Sequence, residues 1–485
     1  MRLKPWLYFL HRWLGIGMCL LIALWFASGI VMMYVDYPQL TETERVQNLL
    51  PLDSAAIRMT VNQAMRYQGA EPVVSDLRLS SLMGRPLWQL RYHNGAMSTI
   101  FADTGQPLRG VDAEQALEVV RHSGFGAAGF ALAHEGLVDI DQWTVSAAPA
   151  TLRPLHKISI ADGQGTVVYV SAVSGQIVRD TRRQERLWNW VGSTIHWIYP
   201  LALRRHADIW AQVVIWLSLI GMVTVLSGAI IGFTRLRIRR PDTHSSISPY
   251  RGVGKWHHLL GLGCLVFLLT FLFSGFLSMQ PWGLFSSGEP LSNQLQRYTA
   301  GQLGADGKLL PELPKQLPAG VREVRWRQLD GEPYILFTLA PERHLVSHAG
   351  QPEPAEPSAL HGLIEQAVPE LLPQARVQDS RVLRQHDAYY YSMHGRHRPL
   401  PALQVQFDDP DESGYYIDLA TGEVILRHTR NSRLARWLYN GLHSFDFPLL
   451  RENRPLWDIL LLILCLSGLV FSISSIMLGW RRLLH

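Results

Sequence analysis

An apolar stretch long enough to cross a bilayer is written twice in this chain, and that copying constrains the fold more than any other feature. HRWLGIGMCLLIALWFASGIVMMY runs from His11 to Tyr34, and HHLLGLGCLVFLLTFLFSGFLSMQ runs from His257 to Gln280. His11 matches His257, Gly15 matches Gly261, Gly17 matches Gly263 and Ser28-Gly29 matches Ser274-Gly275, all at one offset of 246 residues. A second pair of segments repeats too, LWNWVGSTIHWIYPLALRRHADIW and LARWLYNGLHSFDFPLLRENRPLW. Each sets a His 14 residues before a Trp, His196 before Trp210 and His443 before Trp457. An apolar run follows each, with Gly232 and Gly479 in register. Self-similarity at a fixed period marks a tandem duplication.

Four stretches are almost free of charge, at roughly 13–35, 209–233, 259–279 and 456–478. Each reaches the twenty or so residues that a helix needs to cross a membrane. The rest of the 485 residues is polar and turn-rich, so the chain reads as an integral membrane protein with sizeable regions outside the bilayer. Arg2, Lys4 and Arg12 make a positive leader, yet no small-x-small cleavage site follows, and the first span is expected to stay in the membrane. Cys19, Cys264 and Cys465 all fall inside spans, which excludes a disulfide framework or a Cys-based metal site in the large loops.

Basic residues orient the chain. Between Thr234 and Lys255 stand Arg235, Arg237, Arg239, Arg240, Arg251 and Lys255 against one acid, Asp242, and Arg481-Arg482 close the tail. Positive residues stay cytoplasmic, so both termini are expected inside. The formal charge of +5 is largely this topology signal and not a nucleic-acid footprint. The layout expected is a first span within 1–35, an outer region over 36–186, and an interfacial segment with the second span over 187–235. A basic cytoplasmic loop over 236–254 leads to a third span over 255–280, a second outer region over 281–433, and an interfacial segment with the fourth span over 434–485.

The outer regions read as helix-then-strands rounds closing on a glycine turn. Ser54–Tyr67 is helix-like, and strands are expected at Val73–Leu79, Pro86–Tyr92 and Met97–Ala102, ending at DTGQPLRG. A helix at Asp112–His122 opens the next round, with strands at Gln142–Ser146, Leu155–Ile160 and Thr166–Ser171 before VSGQIVRD. The second region repeats this with strands at Val321–Trp326 and Tyr334–Leu339, a helix near Ser358–Ala367, and strands at Leu403–Phe407 and Tyr415–Asp418 closing on ATGEVILR. Alternation in LWQLRY and LQVQF supports half-buried antiparallel strands. The expectation is four small α+β modules, a pair in each outer region.

HRWLGIG with a downstream SG, a later LH motif before a span ending in GWRR, and modules closing on a TGEV-like turn resemble the PepSY-associated transmembrane proteins. The resemblance covers nearly the whole chain. It implies a bacterial inner (cytoplasmic) membrane protein with periplasmic α+β PepSY-like modules, some of whose relatives are haem-containing reductases of ferric siderophores. The fold class expected is thus membrane α-helical, four transmembrane helices in a two-fold pseudo-repeat, carrying those modules. This chain departs from the better-known members in its larger outer regions, which bears on the substrate more than on the membrane chemistry.

Each half holds two spans, so the halves share one orientation, like other parallel-repeat membrane proteins. That puts His11 and His257 together near the cytoplasmic side and His196 and His443 together on the opposite side. A pair within one half cannot share an ion, because the helix from His11 to Val35 alone is about 36 Å long. Two imidazoles meeting inside a helix bundle hold a haem iron, each giving one axial nitrogen. One or two haem b groups are therefore expected, ligated by His11, His257, His196 and His443. The bland alternative is a hydrogen-bonded structural histidine at a span end, which duplication on a symmetry axis argues against. His258 beside His257 leaves that ligand open, and no partner can be named for His134 or His361. The glycines near the ligands suit either a flat macrocycle or close helix packing. The run His386, Tyr389, Tyr390, Tyr391, His394 and His397 reads as a module surface, and Trp6, Trp13, Trp188, Trp190, Trp256 and Trp457 as interface anchors. GxGxxG at Gly124–Gly129 follows a helix instead of a strand and is rejected as a dinucleotide site.

Three functions follow as expectations. The first is a haem-dependent oxidoreductase, passing electrons from a cytoplasmic or membrane donor to a periplasmic ferric siderophore or other ferric chelate. No NAD(P)H or flavin module is visible, so the donor is a separate molecule. The second is an iron or siderophore transporter, against which no span shows a broken, charged midsection. The third is a PepSY-type binding or regulatory membrane protein without redox activity.

Overall fold

The computed structural model describes residues 3–67, 74–92, 96–147, 149–237, 247–285, 290–304, 309–341, 343–349, 351–393 and 396–484. Two compact units emerge. One comprises Met1–Tyr37, Glu185–Ser286 and Asn431–His485, and the other Pro38–Gln184 and Ser287–Arg430.

The first unit is helical. Its long helices are α1 (Leu3–Met32), α2 (Ala207–Arg235), α3 (Val253–Gly263), α4 (Leu265–Ser278) and α5 (Arg454–Leu484). Three of these, α1, α2 and α5, are long and apolar enough to cross a membrane, and α3 with α4 makes a fourth if counted as one span. At 1.5 Å per residue a 30-residue helix is about 45 Å long, more than a bilayer's hydrocarbon core. The chain is an integral membrane protein. Met18, Ile22 and Phe26 of α1 form the buried core with Val225 of α2, Cys264, Leu268 and Leu272 of the third span, and Cys465 of α5. Small residues let these helices close up, as expected where lipid offers no hydrophobic drive. A β-carbon on Gly468 would lie 2.3 Å from Cζ of Phe26, and one on Gly221 would lie 3.0 Å from Leu272.

The third span corrects the expectation of a continuous helix, because α3 and α4 meet at a 64° bend around Cys264. Its counterpart α1 runs unbroken through Gly15 and Gly17, so the matching glycines do not set the bend alone. What differs is the neighbour. The Phe471 ring of α5 sits 3.0 Å from where a Gly261 β-carbon would be and stacks on His257, 5.0 Å between centroids. The matched position on α2 is Thr224.

The second unit carries fifteen strands among the described residues. Strands β1 (Val74–Leu82), β2 (Arg85–Tyr92), β3 (Met97–Phe101), β4 (Leu132–Val138), β5 (Leu155–Ile160), β6 (Val167–Ser171) and β7 (Ile177–Thr181) come from the first outer region. The second supplies β8 (Glu323–Leu329), β9 (Glu332–Ala340), β10 (Arg343–His348), β11 (Gln351–Ala355), β12 (Val377–Leu383), β13 (Ala402–Phe407), β14 (Gly414–Asp418) and β15 (Val424–His428). They form three antiparallel sheets, in the orders β11-β10-β9-β8-β1-β2-β3, β4-β5-β6-β7 and β12-β13-β14-β15. The expected four modules are thus three sheets, because the opening rounds of the two outer regions fuse where β1 pairs with β8 (Leu77 opposite Trp326, Leu79 opposite Val324). Their apolar faces make one core in which the Trp88 and Trp326 rings lie 5.0 Å apart. Glu323 is buried at this seam, 2.8 Å from Arg45, 2.5 Å from Arg325 and 4.0 Å from Arg78. Burial alone would raise its carboxyl, but the arginines hold it down at about 2.

Several boundaries moved. Ser54–Tyr67 is a single 3-10 turn and a short helix (Val61–Arg66) capped by Thr60, not one helix. Gln142–Ser146 is a turn, and β4, β7, β10, β11, β12 and β15 are strands the alternation pattern did not mark. The glycine turns are clasps. Gly175 and Gly422 have φ of +70° and +73°, and their missing side chains leave room for Leu82 at 2.9 Å and the Tyr334 hydroxyl at 2.8 Å.

Candidate functional site

Four imidazoles meet in two pairs inside the helical unit. His11 on α1 and His257 on α3 have ring centroids 6.4 Å apart, with planes inclined by 40°. His196, ending the short helix Ser193–His196, and His443, in the helix Leu442–Ser444, have centroids 5.9 Å apart and planes inclined by 71°.

Each ring is held by one nitrogen. His11 Nδ1 lies 3.1 Å from the Thr224 carbonyl oxygen and 3.3 Å from Ser227 Oγ, both on α2. A carbonyl only accepts, so Nδ1 carries the proton. His196 Nδ1 likewise donates to the Trp25 carbonyl at 3.1 Å, with Ser28 Oγ also at 3.1 Å. The Ser28 hydroxyl proton is already given to the Leu24 carbonyl at 2.6 Å, which leaves the serine as acceptor toward His196. The second half repeats this logic. His443 Nδ1 meets Ser274 Oγ at 3.0 Å, whose own proton goes to the Thr270 carbonyl at 2.6 Å, and the Phe271 backbone adds a bond. His257 Nδ1 meets Ser474 Oγ at 3.3 Å and Ser475 Oγ at 3.2 Å, and both serines donate to the Phe471 carbonyl. All four rings are therefore the Nδ1–H tautomer, and no Nε2 has a hydrogen-bond partner among the described residues. Burial, with His443 close by, pushes His196 down to about 3, and burial pushes His443 down to about 4, so both are neutral at neutral pH.

The surroundings are cut to the rings. A β-carbon on Gly228 of α2 would stand 2.5 Å from Cε1 of His11, and Gly29 and Gly275 face Cε1 of His196 and His443 at 3.4 and 3.7 Å. One turn along from His11, a side chain on Gly15 would meet nothing within 4 Å, whereas the equivalent space at Gly261 is filled by Phe471. Trp210 Nε1 donates to the Trp197 carbonyl at 2.9 Å, and Trp457 Nε1 repeats the bond to the Ser444 carbonyl at 2.7 Å. The buried Trp457 is thus a bracket for the His443 segment, correcting its reading as an interface anchor.

The donor set fits a metal bound by two axial imidazoles. A metal–imidazole bond of about 2 Å on each side, plus the depth of the rings, puts two opposed ring centres roughly 6 Å apart. Ligand histidines commonly give their other N–H to a carbonyl or similar acceptor, as all four do here. Among the described residues no group of three or more His, Cys, Asp or Glu stands together as a site for a bare metal ion.

Sequence reasoning could not choose between His257 and His258. The structure does, because His258 is buried with Nδ1 2.8 Å from Ser248 Oγ and Nε2 2.9 Å from the Gly232 carbonyl, tying a loop to the end of α2. His134 lies on β4 instead of in a loop, its Nε2 2.9 Å from Nδ1 of His156, whose Nε2 donates to the Val111 carbonyl. His361 opens the short helix His361–Ala367 and joins neither pair. In the aromatic run His386 and His397 lie exposed as a module surface, whereas Tyr390 is fully buried and stacked 4.7 Å from Tyr416. His394 and residues 238–246 of the basic loop lie outside the described residues. Gly124–Gly126 is a 3-10 turn after the helix Ala113–Arg121. Sequence reading missed Ser227, Ser474 and Ser475 as ring holders. The signal was there, since Ser227 and Ser474 are polar residues in apolar spans at the 247-residue offset that relates His196 to His443.

A family model described as the PepSY-associated TM region matches residues 8–482. Comparison with curated proteins finds no match.

Proposed function

The chain belongs to the PepSY-associated transmembrane family, and on that premise we propose that it is a haem-dependent oxidoreductase of the bacterial inner membrane. In this reading the bent α3–α4 pair counts as one of four spans. Both termini are cytoplasmic, as the six-to-one basic excess between Thr234 and Lys255 argues. His11 and His257 hold a cytoplasmic-side haem b, and His196 and His443 a periplasmic-side one. The observation that carries the reading is the shared state of the four rings, with Nδ1 protons committed to helix acceptors and Nε2 lone pairs left over in two pairs. Bound haem supplies one-electron chemistry between ferric and ferrous iron.

The protein's own residues do the rest. Thr224, Trp25 and Phe271 carbonyls with Ser28, Ser227, Ser274, Ser474 and Ser475 fix the tautomer and raise the basicity of the ligand nitrogen. The apolar core around Phe26 and Leu268 keeps water from the space between the two pairs. Electrons enter from a separate cytoplasmic or membrane donor and leave to a periplasmic acceptor. A ferric siderophore is the favoured acceptor, since ferrous iron binds hard-oxygen chelators far more weakly than ferric iron. Spectra of the detergent-purified protein, oxidised and dithionite-reduced, test this. Wild-type protein should show haem bands, and Ala at any one of the four histidines should roughly halve them. A colourless wild-type protein overturns the reading and leaves a redox-silent binding role.

The 64° bend favours one alternative, an iron or siderophore transporter, because broken spans line transport paths. The bend carries no buried charge, its only ionisable neighbours on α3 being Lys255 and the two histidines. Accumulation of labelled chelate inside sealed vesicles, without reduction, would favour transport.

A further inference from the structure

The two halves handle their arginines differently at the His196–His443 end. In the second half each has its own carboxylate. Arg436 and the buried Asp446 are 3.0 Å apart, Arg451 and Glu452 3.9 Å, and Arg454 and Asp458 3.1 Å. In the first half Tyr199 stands where the duplication puts Asp446, and Arg205 stands where it puts Glu452. Arg204, the match of Arg451, is left over aromatic faces, its guanidinium 5.1 Å from the Tyr199 ring centre and 4.7 Å from that of Trp210. Its Nε is buried without a hydrogen-bond partner, and no described carboxylate lies within ion-pair distance. Tyr199 and Trp197 belong to the same stretch as His196, with the Tyr199 N–H bonded to the Thr194 carbonyl.

A guanidinium packed over two rings has part of its rotamer entropy already spent, and its unpaired N–H donors suit a planar anion. We propose that Arg204 binds a carboxylate brought by a ligand of the His196–His443 site. This rests on the function proposed above and names the group that the ligand must carry. A carboxylate could belong to the macrocycle or to an anionic ferric chelate, and the same charge-assisted, two-point hydrogen bond would hold either.

The test uses the full-length protein in nanodiscs of zwitterionic lipid, with Arg204→Gln, Arg204→Lys and Arg205→Glu, the last copying Glu452 at an exposed position. One arm follows haem loss to excess apomyoglobin, and the other follows equilibrium binding of radioiron-labelled ferric citrate. Arg204→Gln should speed haem loss or weaken citrate binding by roughly tenfold or more. Arg204→Lys should restore part of it, and Arg205→Glu should act in the same direction by supplying a competing carboxylate. Movement of the first arm assigns the carboxylate to the macrocycle, and movement of the second assigns it to the chelate. Flat responses in both arms, or an effect seen only when anionic lipid is added, overturn the proposal. A wild-type spectrum without haem bands sinks the haem reading instead and leaves the citrate arm to decide Arg204.

Discussion

The two histidine pairs reach a similar ring spacing by different means. His11 and His257 are carried on long helices and anchored on the helices beside them, His11 on α2 through Thr224 and Ser227, His257 on α5 through Ser474 and Ser475. His196 and His443 ride on short segments ahead of α2 and α5, and are anchored back on α1 and α4. Even those segments differ. Before His196 the helix Arg183–Val191 breaks at Gly192 (φ −86°, ψ −104°), and before His443 the helix continues through a π-turn at Trp437–Gly441. A helix backbone determines direction over many residues, so the first pair depends on packing. The second depends on a few side-chain bonds, among them Trp25 Nε1 to the His196 carbonyl and the buried Arg436–Asp446 pair.

The sharpest break is functional. With a reductant sealed inside vesicles, Ala at His11 or His257 should abolish reduction of an external ferric chelate, while a reductant added outside should still work. Ala at His196 or His443 should stop both routes. Trapping released Fe(II) measures this, and wild-type rates from inside after loss of His11 would end the two-site scheme.

Asp446→Ala comes next. It leaves Arg436 buried without its carboxylate, which costs about 3–5 kcal/mol. The outer pair's haem signal should fall while the inner pair's persists, read by reduced-minus-oxidised spectra of the variant. Equal losses at both would show that the pairs are not independently held.

Acid supplies a control that should move neither pair. The Glu323 carboxyl sits at about 2 when folded and near 4.3 when unfolded, a depressed value, so its stabilisation is present above about pH 4.3 and disappears as pH falls toward 2. The stabilisation is on the order of 3 kcal/mol. Glu323→Gln should flatten the acid limb of outer-unit unfolding, followed by tryptophan fluorescence, without changing haem content.

Glycine substitutions then separate tight from looser seats. Gly228→Ala drives a methyl to 2.5 Å from the His11 ring and should cost about 1–3 kcal/mol at the inner pair. Gly29→Ala meets the His196 ring at 3.4 Å and should be nearly silent. Haem retention on dilution compares the two. Ser28→Ala should cost only about 1 kcal/mol, because the Trp25 carbonyl still holds the Nδ1 proton.

The spans, the duplication and the four histidine positions were legible because each rests on local composition or on a constant offset. Continuous apolar runs such as Leu20–Ile30 need no partner to be read as spans. The strands were less legible. β12 is exposed along almost its whole length, so no apolar alternation marks it, and β4 hid behind the loop-like AHEG.

By itself, then, the sequence determined which segments are apolar enough to leave water and which residues correspond between the halves, since both are properties of the chain read in one dimension. Only the tertiary structure decided that His257 and not the adjacent His258 faces His11, because that choice turns on the Gly232 carbonyl and Ser248 arriving from elsewhere in the chain. It also decided that the third span bends around Cys264, and that β1 and β8, whose partners Leu77 and Trp326 lie 249 residues apart in the chain, close into one sheet. Hydrogen bonds and ring contacts between distant segments have no signature in either segment alone.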